Sequence, residues 1–305
     1  MLISIVIPFY NEEHNVDELF KRLTDISKRD ENDFEIIAVN DGSSDDTLSK
    51  LKNCKLKDKR IKIVDLSRNF GHQFAISAGI SFVKGDVVVI MDADLQDPPE
   101  VILEFIKKWK EGFEVVYGVR EKRKENIFKK ACYFLFYRIL QKISYIHIPL
   151  DSGDFCLMDK KVVDIFKNLP ERTRFIRGIR SWIGYRQIGI KYERDSRFAG
   201  KPKYSILKLI KLALDGVTSF SNAPLRIISS AGLYLSGISF IVGIWFILQR
   251  VIWGAKIQGL TIIIVSVWLI GGLQILAIGV IGEYIARIYE ETKQRPVFIV
   301  KEVIE

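Results

Sequence analysis

The chain has 305 residues, 48% of them hydrophobic, and a formal net charge of +9. A basic balance raises the question of nucleic acid, since phosphate neutralisation gives affinity. Charged and apolar residues mix as in a soluble domain up to about residue 225, however, whereas 227–289 is overwhelmingly apolar; beside such a segment anionic lipid headgroups are the more economical partner, and nucleic acid is set aside.

The elements are predicted in chain order from apolar periodicity. Ile3–Pro8 reads as a strand, Asn15–Ile26 as a helix with Val16, Leu19, Phe20, Leu23 and Ile26 on one face, and Phe34–Asn40 as a strand. Helix Thr47–Leu56, strand Ile61–Asp65, helix Gln73–Val83 and strands Val87–Met91 and Val115–Tyr117 follow. Strands alternating with helices imply a doubly wound, mostly parallel α/β sheet. Ile127–Ile146 and Tyr204–Leu214 are basic and amphipathic. Such helices lie in a membrane interface or pack on a sheet; for Tyr204–Leu214, directly before the apolar segment, the interface is favoured.

Two membrane-spanning helices are expected next. Between Ile227 and Ile252 the only charge is Arg250, and Leu260–Gly282 carries none. Each run exceeds the roughly 20 residues that cross about 30 Å of hydrocarbon. The short link Trp253–Gly259 makes the pair a hairpin. Basic residues precede the first run and follow the second, while the link carries Lys256 alone, so the positive-inside rule puts the rest of the chain in the cytoplasm. The expected division is a catalytic domain over 1–225, a hairpin over 226–289 and a cytoplasmic tail over 290–305, whose Pro296–Val300 has strand character and could pair with the sheet or with another subunit of a homo-oligomer. The apolar start Met1–Ile7 is too short for a signal peptide and meets Pro8 and acids at once. The three cysteines are scattered and lack metal spacing, which fits a reducing cytosol and assigns them no chemistry.

The chemistry concentrates at strand ends. Strand Val87–Met91 runs straight into Asp92-Ala93-Asp94-Leu95-Gln96-Asp97, and Pro98-Pro99 then stops it. Ligands of open α/β sheets bind beyond such carboxyl ends. Period-two spacing points Asp92 and Asp94 the same way, toward a hard cation such as Mg²⁺ shared with substrate phosphates, and Gln96 continues the row. The first strand ends in Pro8-Phe9-Tyr10-Asn11-Glu12 and the second in Asn40-Asp41-Gly42-Ser43-Ser44. Three polar strand ends on one edge suit a nucleotide.

With Ser67-Arg68-Asn69-Phe70-Gly71-His72, Gly118-Val119-Arg120, Gly153-Asp154-Phe155, Thr173–Gly178 and Arg197–Tyr204, the chain resembles the family-2, A-type (GT-A) glycosyltransferases. The order of motifs is similar to their polyprenyl-phosphate branch, which includes bactoprenol glucosyltransferases and dolichol-phosphate mannose synthase. The resemblance covers nearly the whole chain and departs visibly at Pro202, where the branch often has Ser. It implies a Rossmann-like nucleotide-binding sheet and transfer of a sugar from a nucleotide sugar to a polyprenyl phosphate, with inversion at the anomeric carbon. Mg²⁺ or Mn²⁺ would bridge Asp92, Asp94 and Gln96 to the diphosphate. Pro8, Tyr10, Glu12 and Asp41 would hold the nucleoside, with Arg68 and His72 as weaker contacts to the diphosphate. Asp154 falls where the family places its catalytic base. A phosphate monoester has a second pKa near ~6, so the acceptor is already mostly anionic at neutral pH and Asp154 is expected chiefly to orient acceptor or sugar. Arg120, Arg138, Arg197 and Lys203 are the candidates for the acceptor phosphate. Arg174 and Arg177 are expected to meet lipid headgroups or pack on a neighbour.

Bacterial lookalikes with two spans favour UDP-glucose as donor; GDP-mannose is the alternative, and no residue separates them by physics. A processive polysaccharide synthase would carry Gln-x-x-Arg-Trp, which none of Gln141, Gln187 and Gln249 begins. A nonenzymatic scaffold would have lost the acid pair, and here it is intact.

Overall fold

The computed structural model describes residues 1–121, 152–172, 174–193, 223–253 and 259–305. The basic amphipathic segments at Ile127–Ile146 and Tyr204–Leu214 lie outside them, as do Arg138, Arg197 and Lys203. The described residues fall into two compact units, one containing the N-terminal part together with Arg295–Glu305, the other the two long apolar helices.

The first unit is built on an eight-stranded sheet in the order β7-β5-β6-β4-β1-β2-β3-β8. Its strands are β1 (Leu2–Phe9), β2 (Asp33–Asn40), β3 (Ile61–Leu66), β4 (Val87–Ile90), β5 (Val115–Glu121), β6 (Ser152–Asp159), β7 (Gln187–Glu193) and β8 (Val300–Ile304). β1 pairs in parallel with β2 and β4, β2 with β3, and β5 with β7. β6 runs antiparallel to both β4 and β5, and β8 antiparallel to β3. The sheet is therefore mixed, mostly parallel. Sequence periodicity missed β6 because Ser152-Gly153-Asp154 lacks an apolar alternation, yet its residues from Ser152 to Met158 are all buried.

The amphipathic helix α1 (Val16–Arg29) shows why the N-terminal half was readable. Its five buried residues recur at helical spacing, and Asp17 and Glu18 in the first turn and Lys28 and Arg29 in the last match the helix dipole. It shares a core with α4 (Val101–Lys110) and with Ile3, Ile5, Ile7 and Phe9 of β1. The opposite face of β1 meets α3 (His72–Ser81). There Gly79 lies so close that a Cβ would sit 2.4 Å from Val6 Cγ1 and 2.9 Å from Val39 Cγ2. Helices on both faces bury the central strands, which explains the unbroken apolar run of β4.

This order also locates a crevice. The chain passes from β1 to β2 and β3 on one side and returns to β4 on the other, so β1 and β4 flank a topological switch point. Their pairing stops at Val6–Ile90, while β1 continues beside β2 to Phe9 and Asn40. Pro8, with no N–H to give, sits in that unpaired stretch of β1.

The second unit comprises α7 (Ala223–Trp253) and α8 (Leu260–Thr292), each containing a stretch long and apolar enough to cross a membrane. Leu233, Phe240, Ile241, Trp268 and Ile275 are exposed on them, an arrangement that suits a lipid solvent. The charge-free run ends at Gly282, and the helix continues past it to Thr292. The tail then joins the first unit's sheet as β8, with Ser67 N–H donating to Ile299 O at 3.0 Å and Lys301 3.7 Å from Asp65.

Candidate functional site

The carboxyl ends of β1 and β2 are tied to each other by their own polar residues. Asn11, at φ +52°, accepts from Ser44 N–H at 2.8 Å, and Glu12 N–H donates to Thr47 Oγ1 at 2.9 Å. Asp41 is buried, and its two carboxylate oxygens accept from Phe70 N–H (2.7 Å) and Gly71 N–H (3.0 Å). Burial raises its pKa above the usual value, against the pull of those two amides. Asp41 thus fixes the 67–71 loop against the end of β2. Gly42, at φ +63°, permits the approach: a Cβ there would stand 2.5 Å from Arg68 C and Asn69 N. Along this edge Tyr10 is 39% exposed, Glu12 is half-buried with Oε2 accepting from Asn15, and Arg68 lies over the Phe70 ring at 4.0 Å. Of the residues expected at a nucleoside, Tyr10 has the most open side chain, while Asp41 holds loop backbone and Pro8 is buried.

The acid segment differs from the sequence expectation. β4 ends at Ile90 and Leu95 adopts φ +58°, so Asp92, Asp94 and Gln96 lie on a turn rather than along a period-two strand. Gln96 N–H donates to Asp94 Oδ1 at 3.2 Å, closing the turn on its own carboxylate. Asp92 Oδ1 is buried without a hydrogen-bond partner and stands 3.3 Å from His72 Nε2. Burial pushes the Asp92 carboxyl up to about 6; His72 opposes the rise, and Asp97, Asp94 and Asp154 add to it. Among the described residues no group of three or more His, Cys, Asp and Glu forms a ready metal cluster. What Asp92, Asp94 and Gln96 offer is two carboxylates and a neutral amide oxygen. An orphaned carboxylate oxygen under like-charge repulsion fits a hard divalent cation.

Asp154, on β6, is 5% exposed and is surrounded by donors. Arg177 Nε stands 2.8 Å from Oδ1 and Nη2 3.4 Å from Oδ2; Gln73 Nε2 donates to Oδ2 at 2.9 Å, and His72 Nε2 lies 3.5 Å away. Burial would raise its pKa, but Arg177 and His72 hold the carboxyl well below the usual range. For His72, burial lowers the pKa and the Asp92 and Asp154 carboxylates more than compensate, raising it to about 9. Gln73 also accepts from Ile176 N–H at 3.0 Å, the first residue of α6 (Ile176–Ile183). One amide thereby ties α3, β6 and α6 together. The sequence reading missed Gln73 and gave Arg177 to headgroups or packing; the only signal was its place in the Thr173–Gly178 motif. Arg174 serves the backbone: it donates to Phe166 O and Leu169 O, at the end of α5 (Lys160–Asn168).

Arg120, near the end of β5, is mostly buried. Its Nη2 stands 3.4 Å from Asp97 Oδ2 and its Nε 3.3 Å from the Tyr192 hydroxyl, which donates to Asp97 Oδ1 at 2.5 Å. The fully buried Asp97 carboxylate and Tyr192 were not singled out from sequence.

An α/β sheet with acids gathered at a switch-point crevice is shared by several enzyme classes, and the comparisons decide among them. The sequence pattern described as Glycosyl transferase family 2 matches residues 4–166. The chain belongs to glycosyl transferase family 2. An uncharacterized glycosyltransferase of Bacillus subtilis, YkcC, is 48% identical, covering 98% of this chain and 93% of its own. A bactoprenol glucosyl transferase of Shigella phage SfX and a prophage bactoprenol glucosyl transferase homolog of Escherichia coli are each 40% identical over 99% of both chains. Coverage at this level takes in the two apolar helices as well as the family-2 sheet.

Proposed function

We propose that this family-2 glycosyltransferase moves a hexose from a nucleotide sugar, UDP-glucose being favoured, to a polyprenyl phosphate such as undecaprenyl phosphate. Relatives bearing the bactoprenol name over both units support the reaction class. The observation that carries it is Asp154: a carboxylate kept ionised by Arg177 and His72 beside the Asp92–Asp97 acid turn.

The donor diphosphate lies at the crevice between β1 and β4, with its nucleoside toward Tyr10, Glu12 and the loop that Asp41 holds. Asp92, Asp94 and Gln96 would hold Mg²⁺ or Mn²⁺, which neutralises the charge of the departing diphosphate. An acceptor phosphate oxygen attacks the anomeric carbon from the opposite face; the bond to the diphosphate breaks and its electron pair leaves with the nucleotide, inverting the centre. The attacking oxygen is already anionic, so a proton acceptor contributes little. A depressed Asp154 is a weak base suited to orienting a sugar hydroxyl or the acceptor. Arg120, with Arg138, Arg197 and Lys203, holds the acceptor phosphate. The apolar helices would keep the protein at the bilayer in which the polyprenyl chain is dissolved. Because two spans return the chain to the side it left, β8 rejoins the sheet without a third crossing, and both flanks are assigned to the cytoplasm.

Membranes containing the protein, incubated with a short polyprenyl phosphate, Mg²⁺ and a panel of labelled nucleotide sugars, are expected to give one lipid-soluble product, from UDP-glucose. Exclusively water-soluble or polymeric products would overturn the reading. Asp154→Asn is expected to lower turnover by a similar factor from pH 6 to 9; recovery above the phosphate pKa would instead identify proton removal.

A further inference from the structure

We infer that Asp97 and Tyr192 are positioning residues that fix the Arg120 guanidinium at the acid turn for the acceptor phosphate. This rests on the reading of Arg120 as an acceptor ligand.

The geometry is specific to one edge of the guanidinium. Tyr192 takes Nε and Asp97 takes Nη2, while no acceptor among the described residues takes Nη1. The flat group lies against the backbone of Gly153, where a Cβ would stand 3.0 Å from Nη2 and 3.3 Å from Cζ. Gly153 immediately precedes Asp154, and its carbonyl faces Arg180 Nη1 at 3.5 Å on another side. Arg120 is also close enough to Asp92 for that carboxylate to favour its charged form. The guanidinium is thus held at the acid turn, with Nη1 uncommitted among the described residues. That is where an anionic acceptor has to arrive to reach a sugar whose diphosphate lies at Asp92 and Asp94.

The supports are themselves rigid. Asp97 is fully buried and Tyr192 is 6% exposed. The Tyr192 ring packs edge-on against Phe155 at 5.8 Å and closes over Gly118, where a Cβ would stand 2.5 Å from the ring. Two hydroxyl-centred bonds then set the roll of the Arg120 fork.

The test is a double-substitution cycle on the full-length protein in membranes, with UDP-glucose as donor and a short polyprenyl phosphate as acceptor. Tyr192→Phe keeps the ring and removes both hydroxyl bonds. It is expected to raise the acceptor KM about 10-fold, the size of one hydrogen bond to a charged group, and to leave the donor KM within about twofold. In an Arg120→Lys background the same change is expected to have no further effect. Asp97→Asn, which keeps the shape and removes the charge facing Nη2, is expected to raise the acceptor KM likewise and decides the matter if Tyr192→Phe folds poorly. If Arg120→Lys raises the acceptor KM while Tyr192→Phe and Asp97→Asn do not, or if their effects multiply independently with it, the positioning role is overturned and the reading of Arg120 stands. If Arg120→Lys itself leaves the acceptor KM unchanged, the acceptor reading fails and the inference with it.

Discussion

Replacing Arg177 with Met isolates the electrostatics of Asp154, because Met keeps much of the arginine stem and removes its charge. Asp154 is 5% exposed, and the guanidinium supplies its closest donor at 2.8 Å and a second at 3.4 Å. Breaking a buried ion pair by removing one partner typically costs about 3–5 kcal/mol, because a charge is left buried. Two features reduce that here: the Arg177 side chain is 27% exposed, and Gln73 and His72 remain at Asp154. A loss of about 2–3 kcal/mol at pH 7 follows, or roughly 4–12 °C in melting temperature for a domain of this size. In the parent protein the Asp154 pKa is depressed, so its stabilisation is present above the unfolded value and lost as pH falls through the lower folded one. In Arg177→Met burial dominates and the Asp154 pKa rises. The deficit should then be full at pH 7–8 and narrow on acidification, as protonation discharges the buried group. Arg177→Met with Asp154→Asn should be more stable than Arg177→Met alone. Thermal unfolding in detergent at several pH values measures all of this; a deficit below about 0.5 kcal/mol, or one indifferent to both pH and Asp154→Asn, would refute the reasoning.

Gly42→Ala should raise the donor KM about 10-fold with little change for the acceptor, since the new Cβ meets the backbone of Arg68 and Asn69 and must loosen a loop held by two bonds to Asp41; initial rates against each substrate check it. Chelation should abolish transfer and added Mg²⁺ or Mn²⁺ restore it, whereas Asp92→Asn should stay inactive at any metal concentration. Ending the chain at Gln294 uncovers the β3 edge and removes the Ile299 bond to Ser67. Exposed edges pair with other chains, so size-exclusion chromatography should show larger assemblies.

The sequence reading reached the fold where a single face carries the signal. α1 declares itself because five buried residues recur at helical spacing, and β4 because a strand covered on both faces is apolar throughout. Placing the acids at strand ends also needed only local order, since Asp92 follows an apolar run directly and Asp41 follows one with Asn40 between. β6 was hidden by Ser152-Gly153-Asp154, whose polar groups are buried because partners from elsewhere satisfy them. The metal-side geometry was misjudged for a related reason: period two holds within a strand, and β4 stops at Ile90.

The sequence by itself determined strands β1 to β4, the helices between them, the two apolar helices and the place of the acids at a strand end, because each depends on residues within one or two turns of chain. Only the tertiary structure decided that Asp154 is an ionised group clasped by Arg177, Gln73 and His72, that Asp97 and Tyr192 hold Arg120, and that the tail is a sheet strand. Those partners lie 23 to 95 residues apart in the chain, and no periodicity links them. A buried charge takes whatever partner the fold brings to it, and that choice is written in strand order rather than in local pattern.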